Sequence, residues 1–105
     1  MTDTPHVTPW ANSTAPNQST LWQTMTDEGL SPCSWSNSPH DMYSAHTHSH
    51  NKVIYVVQGS ITFGLPELGK QLTLKAGDRL DLPAGTVHGA VVGAQGVVCL
   101  EGHKG

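Results

Sequence analysis

Charge is scarce in this chain. Asp, Glu, Lys and Arg make up 12% of its 105 residues, about half the share of an ordinary globular domain. That excludes a disordered polyelectrolyte, a coiled coil and a long solvated helix. Positive charge is scarcer still: five Lys+Arg, a single Arg among them, are scattered from Lys52 to Lys104 against eight Asp+Glu, for a formal charge of −3. A nucleic-acid groove needs clustered cations, so no nucleic-acid partner is expected. Long apolar runs are missing too. The longest weakly polar one, Gly89 to Leu100, is short and Gly-rich, so no membrane partner is expected. Cysteine is limited to Cys33 and Cys99, which form neither a Cys-x-x-Cys pair nor a disulfide framework. They read as small buried hydrophobes, with a bridge open to them only where the compartment oxidises. The N-terminal residues lack a basic stretch followed by an apolar one, so no secretory signal is read and a cytoplasmic location is expected.

What remains is enough for one small core in one domain. Residues 1–18 are rich in Thr, Pro, Ser, Asn and Gln, and are expected to form a flexible N-terminal arm ahead of a domain over 19–105. Trp10, the arm's one large apolar residue, either docks or frays with it. A short helix is read over 20–28, with Thr20 and Gln23 as a capping box, Leu21, Trp22 and Met25 on one side, and Gly29-Leu30 as a C-cap. From Pro32 onward the chain reads as β. Strands are expected near 32–36, 41–48, 53–58, 60–64, 71–75, 79–82, 86–92 and 96–101, with turns at 58–60, 76–78, 83–85 and 93–96. Many short strands and one small helix give an all-β fold, a closed barrel or jelly roll.

Four of the seven histidines form a suggestive group: His46, His48, His50 and His88. Side chains two apart on a strand share a face with origins about 6.6 Å apart, close enough for two imidazoles to converge on one ion. Three in a row on a straight strand would spread over about 13 Å, so a third ligand has to come from elsewhere, with His88 as the candidate. His50 reads as a rim group or one that orients another ligand. His6, His40 and His103 read as exposed residues without a role.

These residues carry a resemblance. The run Gly77, Pro83, Gly85 and His88 fits G-x5-P-x-G-x2-H, and His46, His48 and Gly59 fit H-x-H-x3-E-x6-G with Lys52 at the glutamate. Both patterns resemble the two motifs of the cupins over about residues 30–101. The resemblance implies a single jelly-roll β-barrel with a short N-terminal helix, holding a divalent transition metal (zinc, iron, nickel or manganese) on His46, His48 and His88. It also implies a small-molecule ligand and a homodimer. Val92 stands where the second motif usually ends in Asn. Gly77, Pro83 and Gly85 have turn roles in any case and argue for fold more than for function.

Lys52 is the informative departure, because a lysine in the carboxylate's place would repel the metal. Three resolutions are open. The metal binds while Lys52 is neutral, its pKa depressed by burial and the cation, or swings away. No metal binds, and Lys52 holds an anionic ligand. Lys52 itself acts, as electrophile, as Schiff base or as the catalytic acid–base group. A fourth, blander reading lets it snorkel to the rim. If strand 53–58 is regular, Ile54 and Val56 face inward with Lys52, and Val53, Tyr55 and Val57 face the other way. Trp35 either covers the barrel mouth or belongs to the core. The functional classes are therefore a metal-dependent isomerase, lyase or dioxygenase, a metal-free sensor-type binding module with Lys52 as anion contact, and a barrel kept for structure alone.

Overall fold

The computed structural model describes residues 4–104. In chain order its elements are β1 (His6–Thr8), α1 (Gln18–Asp27), β2 (Cys33–Asn37), β3 (Met42–His46), β4 (Asn51–Leu65), β5 (Lys70–Lys75), β6 (Arg79–Leu82) and β7 (His88–Lys104). The fold is all-β apart from the one helix. Strands β4 and β7 run antiparallel along their full lengths, from Asn51 opposite Lys104 to Gly64 opposite Gly89. The first half of β4 pairs on its other edge with β6, and the second half with β5. The late half of β7 takes β2, and the early half β3. Two sheets thus share two long bent strands, with β1 closing one edge, which is a jelly-roll barrel.

The bend corrects two of the expected turns. Gln58-Gly59-Ser60 and Gly93-Ala94-Gln95-Gly96 do not separate strands; they are corners inside β4 and β7. The ladder slips between Val56 and Gln58 and again between Gly59 and Ile61, and such extra residues bend a strand and raise its twist. Gly59 and Gly96 take φ of +81° and +75°, and a Cβ on Gly59 would lie 2.0 Å from the Gly96 carbonyl oxygen. The two strands cross there at backbone contact.

The slips also change which residues face inward. Ile54 and Val56 point into the barrel before the corner, and Ile61, Phe63 and Leu65 after it. On β7, Ala90 and Val92 give way to Val97 and Cys99. The parity expected for 53–58 holds: Val53 and Tyr55 face out, with Val57 packed at the edge of the same cluster.

That outer face is covered by α1, through Leu21, Met25 and the following Leu30, all under 7% exposed. A ten-residue helix is not stable alone; burying its apolar stripe contributes about 1.5–3 kcal/mol per large side chain. Its N-cap is Asn17, whose side chain accepts from the Thr20 N–H, rather than Thr20 with Gln23. Gln23 reaches forward to Asp27 instead. At the other end Gly29 has φ +85°, the Leu30 N–H donates to the Met25 carbonyl and the Gly29 N–H to that of Thr26, a Schellman cap with its Leu30–Met25 contact. Arg79 fastens the helix end to the sheet, bonding Glu28, Asp81 and the Tyr55 hydroxyl.

Part of the N-terminal stretch lies along the barrel. His6–Thr8 pairs with β6 as an edge strand, and Val7 packs on the core. Trp10 seats against Gly77, where a Cβ would lie 2.4 Å from its ring, and its backbone N–H donates to Asp78. Residues 1–3 lie outside the described residues. Among the described residues no helix is long and apolar enough to cross a membrane.

Candidate metal centre

The cross-strand pair His46–His88 founds the site. In the β3·β7 ladder His46 lies directly opposite His88, and Tyr43 opposite Ala90. Three steps along β3 thus match two along β7. That one-residue bulge brings Tyr43 and His46, an odd distance apart, to the same inward face. Gly89 permits it, since a Cβ there would stand 2.9 Å from the Tyr43 carbonyl oxygen.

His48 arrives differently from the expectation of a strand over 41–48. Strand β3 stops at His46, and His48 belongs to the loop beyond it. The Gly85 N–H donates to the His48 carbonyl at 2.9 Å, and the Asn51 side chain accepts from the Ala84 N–H at 2.8 Å. The Pro83-Ala84-Gly85 turn therefore holds the His48 loop inward. Curling off the strand also removes the spread that a straight run of alternate histidines would have. Gly85 needs its freedom here, at φ +79°.

The three imidazoles converge. Ring centroids of His46, His48 and His88 lie 4.5–5.2 Å apart, and one ring nitrogen from each falls within 4.8 Å of the others. A tetrahedral ion with bonds near 2.1 Å wants donors about 3.4 Å apart, within reach of small ring rotations. Protonation suits the task as well. His46 Nδ1 lies 2.7 Å from the Ser44 carbonyl oxygen, and His88 Nδ1 lies 2.9 Å from that of Thr86. A carbonyl only accepts, so each Nδ1 carries the proton and each Nε2 keeps its lone pair, the arrangement that orients metal-binding histidines. Burial pushes the His88 pKa below 6.5, helped by His46 and Lys52 and opposed by the Thr86 carbonyl. Burial likewise lowers His48, with Lys52, His46 and His88 adding to it. The donor set fits a divalent transition metal.

The three histidines border a cavity of about 220 Å³ with Lys52, Glu101, Ile54, Ile61, Phe63, Ala90, Tyr43 and Trp35. Lys52 is neither free nor at the rim. Its Nζ lies 3.0 Å from Glu101 Oε2, with the two side chains 11% and 17% exposed. The ammonium that would repel a cation is thus neutralised by a carboxylate from β7, although the pair adds no net negative charge in place of the motif's glutamate. Glu101 escaped the sequence reading, as did Tyr43, Ile61, Phe63 and Ala90. A signal for Glu101 existed: it is the one charge in the apolar run Val97–Leu100–Glu101, at the inward parity of Val97 and Cys99.

Three other expectations need correction. Val56 faces inward but is fully buried in the core beneath the cavity, not in its lining. His50 lies outside the cavity, exposed, and stacks on His103 with ring centroids 4.6 Å apart. His103 in turn stands 3.9 Å from Glu101, so it is less idle than expected. Trp35 answers both of its readings, since it packs against the core and borders the cavity. Its indole N–H is buried without a partner among the described residues.

Comparisons with known proteins agree with this geometry. No curated relative matches the chain. An RmlC-like cupin from Shewanella frigidimarina is 27% identical with a TM-score of 0.61, over 70% of this chain and 64% of that one. The polyketide cyclase RemF from Streptomyces resistomycificus is 28% identical with a TM-score of 0.63, over 74% and 58%. KdgF from a Halomonas species is 28% identical with a TM-score of 0.58, over 72% and 70%. The matched region is thus less than two thirds of the first two proteins' length. A family model, the cupin domain, matches residues 35–102. With both motifs placed at one cavity of a jelly-roll barrel, the chain belongs to the cupin family.

Proposed function

We propose that this cupin holds one divalent transition-metal ion on His46, His48 and His88 and presents it to a small polar molecule bearing oxygen donors. The observation that carries the reading is the convergence of the three imidazoles, two of them with Nδ1 spent on backbone carbonyls and Nε2 left to donate. Zinc, iron, nickel and manganese all suit imidazole ligands. When bound, the ion supplies Lewis-acid polarisation of an oxygen on the ligand.

The chain's own residues set what enters. Ile54, Ile61, Phe63 and Trp35 give an apolar floor that excludes water from the reacting end. The cavity is smaller than sites for drug-sized ligands, which start near 300 Å³, so the ligand is a compact one. Three neutral histidines and a matched Lys52–Glu101 pair leave the ion's double charge uncompensated, which favours an anionic oxygen donor. The likeness to a protein named as a polyketide cyclase supports transformation of the ligand rather than storage. The rival reading, a metal-free pocket with Lys52 as anion contact, loses its free cation, because Glu101 already occupies Lys52.

The test is calorimetric titration of glycolate into chelator-stripped protein and into the same protein reloaded with zinc. Binding only after reloading supports the reading. Equal binding to both forms returns the pocket to the metal-free class.

A further inference from the structure

Lys52 and Glu101 reach each other from different long strands. The β4·β7 register sets Ile54, not Lys52, opposite Glu101, so the pair forms on the diagonal, inside the barrel. Burying an ion pair this deeply is costly, and apolar residues of similar volume would pack there at least as well. Two further observations point at the metal position. Glu101 borders the same cavity as the three histidines. Its carboxylate faces Lys52 at 3.0 Å and His103 at 3.9 Å, and accepts no hydrogen bond from any other group among the described residues. Yet Glu101 stands outside the group of donor atoms lying within 4.8 Å of one another.

We propose that Glu101 is a reserve carboxylate of the metal centre and that Lys52 is the positioning residue holding it off the ion. The proposal rests on metal binding by His46, His48 and His88. With Glu101 held by Lys52, the ion keeps only its three histidine ligands from this chain and more positions stay open to a small molecule. With the ammonium gone, Glu101 turns to the ion as a fourth ligand and one open position closes.

The test is a double-mutant cycle on zinc affinity, read by competition with a chromophoric chelator. It uses the wild type, Lys52→Met, Glu101→Gln and the double variant, each checked for fold by far-UV circular dichroism. Lys52→Met is expected to tighten zinc binding at least about fivefold, and the same change in the Glu101→Gln background to tighten it by a smaller factor, the relief of repulsion alone, with a coupling within the range of contacting groups. Cobalt-loaded Lys52→Met should show a visible spectrum distinct from the wild type, and the double variant should lose that difference. Should Lys52→Met fail to fold, Lys52→Gln replaces it in the cycle. Equal tightening in both backgrounds overturns the proposal, leaving Lys52 as a simple repelling charge. Unchanged or weaker binding in Lys52→Met overturns it as well. Wild-type protein that binds one zinc per chain without any Lys52 effect sinks this proposal alone, whereas no zinc binding by the wild type sinks the metal reading beneath it.

Discussion

A series of three glycine-to-alanine changes separates backbone strain from steric contact at the corner that shapes the barrel. Gly64, on β4, has ordinary φ and open space where a Cβ would be. Gly64→Ala should be neutral or stabilising by up to about 1 kcal/mol, since alanine loses less backbone entropy on folding. Gly29 sits at φ +85° with nothing within 4 Å, so Gly29→Ala carries strain alone, about 1–2 kcal/mol. Gly59 adds a contact to the strain: at φ +81° its Cβ would lie 2.0 Å from the Gly96 oxygen, 2.8 Å from the Gly96 carbon and 3.0 Å from the Val97 Cα. All three are backbone atoms of β7, so no side chain can rotate away, and the strands themselves must part. Gly59→Ala should therefore cost more than the strain alone, above about 3 kcal/mol, a large share of the 5–15 kcal/mol total of a small domain. Urea unfolding of the three variants measures this. Metal affinity of Gly59→Ala should fall as well, because the corner sets Lys52 and Ile54 on one side of the cavity and Ile61 and Phe63 on the other. If Gly59→Ala costs no more than Gly29→Ala, the strand crossing is not what closes the barrel, and the account of the fold is wrong at its centre.

Other outcomes follow from the same contacts. Replacing His88 with Ala should lower zinc affinity at least about tenfold while leaving the far-UV spectrum nearly unchanged, and undiminished affinity would remove His88 from the ligand set. The metal-free protein should lose stability as pH falls below about 6.5, because the unfolded chain takes up a proton there that buried, folded His88 refuses until lower pH. That slope is at most about 1.4 kcal/mol per pH unit for one histidine, and it should be shallower in His88→Gln in parallel urea melts. A thiol reagent should label Cys33 in the native protein and leave Cys99 untouched until unfolding, since Cys99 is buried with its thiol pushed up to about 12; two fast labels per chain would contradict the packing. Met25→Ala, at a fully buried position under the helix, should cost about 2–5 kcal/mol in chemical denaturation, and a loss under 1 would mean that the helix does not hold the outer face.

Much of the fold was legible because it depends on local chemistry. Gly77, Gly85 and Gly29 stand where the backbone needs positive φ, and period-two alternation set Lys52 and Ile54 inward and Tyr55 outward. The breaks at Gly59 and Gly96 were legible as interruptions but not as corners, because a phase change within one strand and a turn between two strands leave the same mark on a sequence. The helix cap shifted to Asn17 because several side chains in Asn17–Thr20 are capable caps, and only the docking of Leu21 and Met25 selects the helix start. At the site, His46, His48 and His88 were readable from spacing. The bulge that aligns His46 with Tyr43 was not, and neither was the loop that turns His48 in, since both depend on partners on β7 and in the Pro83–Gly85 turn. Glu101 is the clearest case: its pairing with Lys52 joins the ends of two strands far apart in sequence, and neither local pattern mentions the other.

The most direct test of the metal centre is elemental mass spectrometry on untagged protein purified without chelator, run beside the variant lacking all three imidazoles (His46→Ala, His48→Ala, His88→Ala). Close to one equivalent of a single transition metal per wild-type chain is expected, and almost none in the variant. Wild-type protein that stays empty even after soaking with zinc, iron, nickel and manganese, or a variant that retains its metal, would contradict it.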